Sequence, residues 1–180
     1  MSEADAAPAF PAPPASPGSS AAAPPIDSRS SWAQALLWGF NAAIADGARQ
    51  IVCMDRDFAH WPLDDAALHR ALVGWLRRPQ RRLVLLAAHY NELPRLHPRF
   101  MTWRRDWVHA ITPLAAPEGA AQSLPALLLD DGAVSVQLFD DTHWRGQAHR
   151  DRRHAHSLRL QTDALVQRSE PALALNVLGL

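Results

Sequence analysis

Asp55, Arg56, Asp57 and His60 follow one short apolar run, and His89, Tyr90 and Asn91 follow another. In an open parallel sheet, ligands lie beyond the carboxyl ends of the strands, which makes these residues the first candidates for chemistry. Two carboxylates two residues apart can share a divalent cation or serve as a general base, with an imidazole as acid. The competing reading is structural. Asp55 and Asp57 would bond the amides of the loop they open, as Asx turns do, and His89 would be a satisfied core histidine. Further along, His143-Trp144-Arg145 pairs an imidazole with a guanidinium, and His149, His154 and His156 lie close by with Asp140, Asp141 and Asp151. A metal site there would need convergence. His154 and His156 fall in an expected helix, where residues two apart point about 200° apart. No established zinc spacing is present, so neither a metal nor a cofactor is expected.

Composition narrows the chemistry. All 18 basic residues are arginine, which removes Schiff-base catalysis and a phosphate-loop lysine. The single cysteine, Cys53, excludes an internal disulfide and any multi-thiolate metal site. It lies inside an apolar run, where a thiol behaves as a small hydrophobe. Arginines pair at 77-78, 81-82, 104-105 and 152-153. Such pairs can fork onto the phosphates of a nucleotide or nucleic acid, but helix ends and a lysine-free composition explain them equally well. Trp32, Trp75 and Trp103 fall on apolar stripes. Trp61, before a proline, and Trp144, in a polar stretch, are the expected exposed rings for a protein partner.

These residues must be positioned by regular elements. Residues 1–27 hold nine Ala, seven Pro and four Ser, a composition that cannot build a core. Residues 1–29 are therefore expected to be a disordered tail, and 30–180 one domain. The acids Glu3 and Asp5 and the interrupting prolines argue against a secretory signal, and no apolar run of about 18 residues suggests a membrane span. A cytoplasmic location is expected.

A first helix is expected from Ser31, capped with Gln34, and carrying Trp32, Leu36, Phe40 and Ala43 on one face to a stop at Gly47. Then come a buried strand at 49–54, a helix opened by Asp64 and Asp65 and closed before Pro79, and a second buried strand at 82–88. A short helix at 99–107 precedes a strand at 108–112 and a loop at 113–124. Asp130-Asp131-Gly132 between two β-type runs, 126–129 and 134–139, predicts a hairpin. A last helix is expected over 150–168. The alternation implies an α/β domain with a mixed, largely parallel sheet flanked by helices.

The series GARQIVCMDRDF, LDDAALHRALVGWLRRPQRRLVLLAAHYNELPRLHPRFMTWRRDW, LPALLLDDG and the closing RSEP with Gly179-Leu180 resembles an uncharacterised proteobacterial domain. Related domains follow N-acetyltransferase modules, and their element order is similar to one half of the phospholipase D superfamily. That resemblance implies a phospholipase D-like half-domain, and half-domains of this shape commonly pair, so it also implies a homodimer. Enzymes of that superfamily carry H-x-K-x-x-x-x-D on a strand before a turn. Counting back from Asp130 puts Ser123 and Pro125 at the histidine and lysine positions, and counting from Asp131 puts Leu124 and Ala126 there. The H-x-R of His143 and Arg145 has Arg150 where the aspartate belongs, with Asp151 one residue late, and a one-residue slip turns a strand side chain to the other face.

The expected function is accordingly a non-catalytic binding or regulatory module with a ligand face of Asp55, Asp57, His89, His143 and Arg145, and with no catalytic residue assigned. The alternative is a phosphoesterase or nucleotide-processing enzyme that uses His89 or His143 as acid-base and Arg145 for phosphate.

Overall fold

A computed structural model describes residues 22–173. Most of the expected tail and the final Gly179-Leu180 lie outside the described residues. Residue 26 already belongs to the domain: Ile26 is buried and bridges to Gly146. The first helix, α1 (Arg29–Ala45), starts two residues before Ser31, because Ser28 caps it. The Ser28 hydroxyl accepts the Ser31 amide at 3.2 Å and the Ser31 hydroxyl accepts the Ser28 amide at 2.9 Å. Ser31 is thus the third helical residue of the capping box and not its cap, and Gln34 has no part in it.

Three parallel strands follow in order: β1 (Gln50–Asp55), β2 (Arg82–Ala87) and β3 (Ile111–Ala115), with α2 (Ala66–Leu76) between the first two. Asp65 caps α2 by accepting the Leu68 amide at 2.7 Å. Instead of one helix at 99–107 there are three short pieces: α3 (Leu93–Leu96), α4 (Pro98–Trp103) and a 3-10 turn (Arg104–Trp107). Pro94 and Pro98 each open a helix, where a missing amide hydrogen costs nothing. The third strand runs later than expected and carries Pro113 inside it. That proline is tolerated near the sheet edge, where the partner β7 (Glu170–Pro171) is two residues long. The expected loop also holds the short α5 (Glu118–Ala121).

The hairpin is β4 (Ala126–Asp130) and β5 (Val134–Asp140). Asp130 accepts the Gly132 and Val134 amides at 2.9 and 2.8 Å, and Asp131 accepts the Arg49 and Gln50 amides, which ties the turn to the start of β1. A strand that the sequence reading missed, β6 (Arg145–Arg150), pairs antiparallel with β5. The last helix, α6 (Arg152–Arg168), is capped by Asp151.

The seven described strands form one mixed sheet in the order β6-β5-β4-β1-β2-β3-β7. Side chains alternate across it. Ile51, Cys53, Leu83, Leu85 and Leu128 pack with Trp32, Leu36, Phe40 and Trp75 of α1 and α2. Val52, Met54, Val84, Leu86, Leu127 and Leu129 pack with Ala155 and Leu158 of α6. The domain is therefore α/β, with helices on both faces. No helix among the described residues is long and apolar enough to cross a membrane.

Candidate functional site

Because β4 runs antiparallel to β1 and β5 antiparallel to β4, the start of β4 and the end of β5 share the edge where β1 and β2 end. Three segments meet there: the 55–61 loop after β1, residues 122–126 leading into β4, and the turn from β5 to β6. They enclose a cleft of about 210 Å³.

Asp55 builds the first wall. Its Oδ1 accepts the Asp57 and Phe58 amides at 3.0 and 2.9 Å, and its Oδ2 accepts the Trp61 indole N–H at 2.9 Å. These bonds hold Phe58 in the left-handed region at φ 59°, an uncommon conformation for a bulky residue. Its ring is buried and stacks on Tyr90, while its carbonyl lies 2.9 Å from His97 Nε2. Trp61 is only 2% exposed and makes edge contacts with Trp32, Phe40 and Phe58. This corrects the expectation of an exposed Trp61 for partner contact. Asp55 gives its indole N–H a half-buried acceptor, so the whole ring can enter the core.

Asp57 accepts the Ala59 amide at 2.9 Å and stands 3.8 Å from Arg56 Nε. His60 meets Trp144 edge-on with ring centres 5.2 Å apart, joining the loop to the β5–β6 turn. Asp140 organises that turn. Its Oδ1 accepts the Thr142 and His143 amides, and its Oδ2 lies 2.8 Å from His143 Nδ1. The amide and ring of His143 hold the Asp140 carboxyl below the ordinary carboxylate range.

Of the five residues expected on a ligand face, Asp55 and Asp57 line the cleft. His143, Arg145 and His89 do not. The His143 ring bonds Asp140, Arg145 is exposed at the start of β6, and His89 is exposed with its amide on the Arg56 carbonyl. His89 is therefore not a core histidine. The cleft is completed by Arg56, His60 and Asp141, by the Trp32 and Trp144 rings, and by Gln122, Leu124, Ala126 and Leu138. Trp32 lies in the core, as its place on the apolar stripe of the first helix implies, and its ring also lines the cleft. Sequence reading sets Asp141 only beside the later histidines and does not single out Gln122. Leu124 and Ala126 carried a signal: they are the positions counted back from Asp131.

Among the described residues no three His, Cys, Asp or Glu side chains converge to hold a metal ion. Burial pushes the Cys53 thiol well above its ordinary value, which removes it as a nucleophile at neutral pH.

No family model matches the chain, and no curated protein does. Among solved structures, the fold is similar to TrmBL2, described as an archaeal chromatin protein with a novel mode of DNA binding. The match has a TM-score of 0.48 and 14% identity, and it covers 74% of this chain. This chain spans about half of that protein, 51% of its length.

Proposed function

We propose that this chain is a non-catalytic cytoplasmic binding or regulatory module of phospholipase D-like half-domain shape, with its ligand cleft at the carboxyl edge of the parallel strands. One observation carries the reading: Leu124 and Ala126, the histidine and lysine positions of H-x-K-x-x-x-x-D counted from Asp131, both line that cleft. Where such an enzyme needs an imidazole and an ammonium group, this cleft has an isobutyl and a methyl group. Of the carboxylates that line the cleft, Asp55 already accepts three hydrogen bonds.

The cleft's charge indicates its ligand. Asp55, Asp57 and Asp141 face a single guanidinium, Arg56, which Asp57 neutralises in part. A phosphate would be repelled. A small ligand rich in hydrogen-bond donors, cationic or hydroxylated, would be attracted and could lie against the Trp144 ring. NMR titration with small amines, polyols and phosphate esters is the test. Amines or polyols should shift the Trp144 indole and His60 signals, and Asp141→Asn should weaken the effect. A preference for phosphate esters, or no response at these signals, would defeat the reading.

The enzyme alternative has one observation in its favour: Arg56 and His60 line the same cleft. On that reading His60 is the acid-base and Arg56 the phosphate clamp. The homodimer implied by the half-domain shape is read by light scattering as twice the chain mass.

A further inference from the structure

The opposite edge of the sheet carries a different surface. Where β1 and β2 begin, Arg49, Arg77, Arg78, Arg81 and Arg82 line an open groove of about 620 Å³ together with His109. Its one carboxylate, Asp131, is occupied by the Arg49 and Gln50 amides. None of these five guanidinium groups forms an ion pair among the described residues, and the Arg81 Nε is buried with no hydrogen-bond partner. At Asp131 the groove adjoins a second cleft, of about 490 Å³, lined by Arg152, Arg153 and Arg159. The neighbouring acids are engaged elsewhere: Asp46 with Arg150, and Asp151 with the first amides of α6. Helix ends account for Arg77 and Arg78. They do not account for Arg49, Arg81 and Arg82, which sit just before or at the start of two neighbouring strands and line the same groove.

A second feature runs into the same groove. Trp103, Trp107 and His109 form a row of rings with centres 6.2 and 5.9 Å apart. His109 is exposed on the groove wall, Trp107 is partly exposed, and Val108 between them is 46% exposed. A basic groove that tracks phosphates beside rings that accept base faces is the combination that binds single-stranded nucleic acid. A duplex hides its base faces and would use only the arginines. We infer that the amino edge of the sheet binds single-stranded nucleic acid, with Arg49, Arg78 and Arg82 on phosphates and Trp107 and His109 stacking on bases. This site is separate from the carboxyl-edge cleft and stands or falls without it.

The test is fluorescence anisotropy of a labelled 20-nucleotide oligo-dT with the full chain across a salt series. If the groove neutralises three to four phosphates, the slope of log K against log salt is about −2 to −3, at roughly 0.7 per phosphate on a single strand. Arg78→Gln with Arg82→Gln should weaken binding at least tenfold and make the slope shallower by about 1.4, two phosphates at that same 0.7 each. Trp107→Leu should weaken binding by about tenfold with the slope unchanged, at the stacking energy of roughly one base. Because Trp107 packs on the core in part, Trp107→Phe is the companion variant, and it should retain most of the binding. Arg95→Gln with Arg168→Gln removes the same charge elsewhere and should leave affinity intact. No binding at 50 mM salt would overturn the inference. So would a duplex bound equally well with Trp107→Leu silent, or a control pair as damaging as the groove pair.

Discussion

Replacing Asp55 separates an architectural carboxylate from a functional one. In Asp55→Ala, three donors lose their acceptor: the Asp57 and Phe58 amides and the Trp61 indole N–H. Hydrogen bonds to a charged group contribute about 1.5–3 kcal/mol each, and the site is half-buried, so the low end applies and the loss is about 4.5 kcal/mol. Asp55→Asn can still accept both amides through Oδ1, but its amide N–H would face the Trp61 N–H, donor against donor, for a loss of about 2 kcal/mol. In urea, with an m-value of about 2 kcal/mol/M, the unfolding midpoint should fall by about 2 M for Ala and about 1 M for Asn. Circular dichroism follows the melt, and tryptophan fluorescence, to which the buried Trp61 contributes, should move with it. If both variants unfold within about 0.3 M of the parent, an amount equal to about 0.6 kcal/mol on that m-value, Asp55 is not holding the loop and the argument that its oxygens are spent is wrong.

Three other substitutions test the frame around the site. A Cβ at Gly39 would stand 2.7 Å from Val136 Cγ2 and 3.2 Å from Leu128 Cδ2. Gly39→Ala should therefore destabilise by about 1–2 kcal/mol despite its better helix propensity, read as a lower thermal midpoint. Asp65→Ala removes the α2 cap and should cost about 1 kcal/mol in urea unfolding. Burial raises the Asp130 carboxyl above its ordinary value, against the pull of the Val134 and Gly132 amides. The folded chain thus holds this proton at pH values where the unfolded chain has lost it. The stability linked to it is complete below the ordinary carboxylate range and is lost as pH climbs through the raised value. Relative to Asp130→Asn, the parent's urea midpoint should decline as pH rises above the ordinary Asp value of about 4. Parallel curves would contradict this.

The parallel core of the fold was legible because its strands are buried on both faces. Continuous apolar runs such as IVCM and LVLLA have few alternatives. The Asp-Gly turn was equally clear, since its backbone needs are local. β6 escaped because RGQAHR is an edge strand with no side chain fully buried, so no alternation marks it. β3 was cut short at Pro113, a residue whose tolerance depends on a two-residue neighbour that lies more than 50 positions away. The site was half legible. Asp55 and Asp57 follow from the rule that strands end at ligands. His143 and Arg145 looked like a pair by spacing, yet the Asp140 turn directs His143 onto its own loop. Leu124 and Ala126 could not be recognised as cleft residues from side-chain chemistry, because what distinguishes them is the absence of a polar group at a register position. Trp61 misled because exposure was inferred from the following proline, whereas the acceptor that lets it be buried lies six residues earlier.

The central claim is that the carboxyl-edge cleft binds without catalysing. A phosphodiesterase and phosphomonoesterase panel run on the full chain beside His60→Ala and His143→Ala tests it most directly. The account predicts turnover indistinguishable from buffer for all three proteins. Robust hydrolysis by the parent that His60→Ala abolishes while leaving the fold intact would contradict it and establish the His60 and Arg56 cleft as an active site.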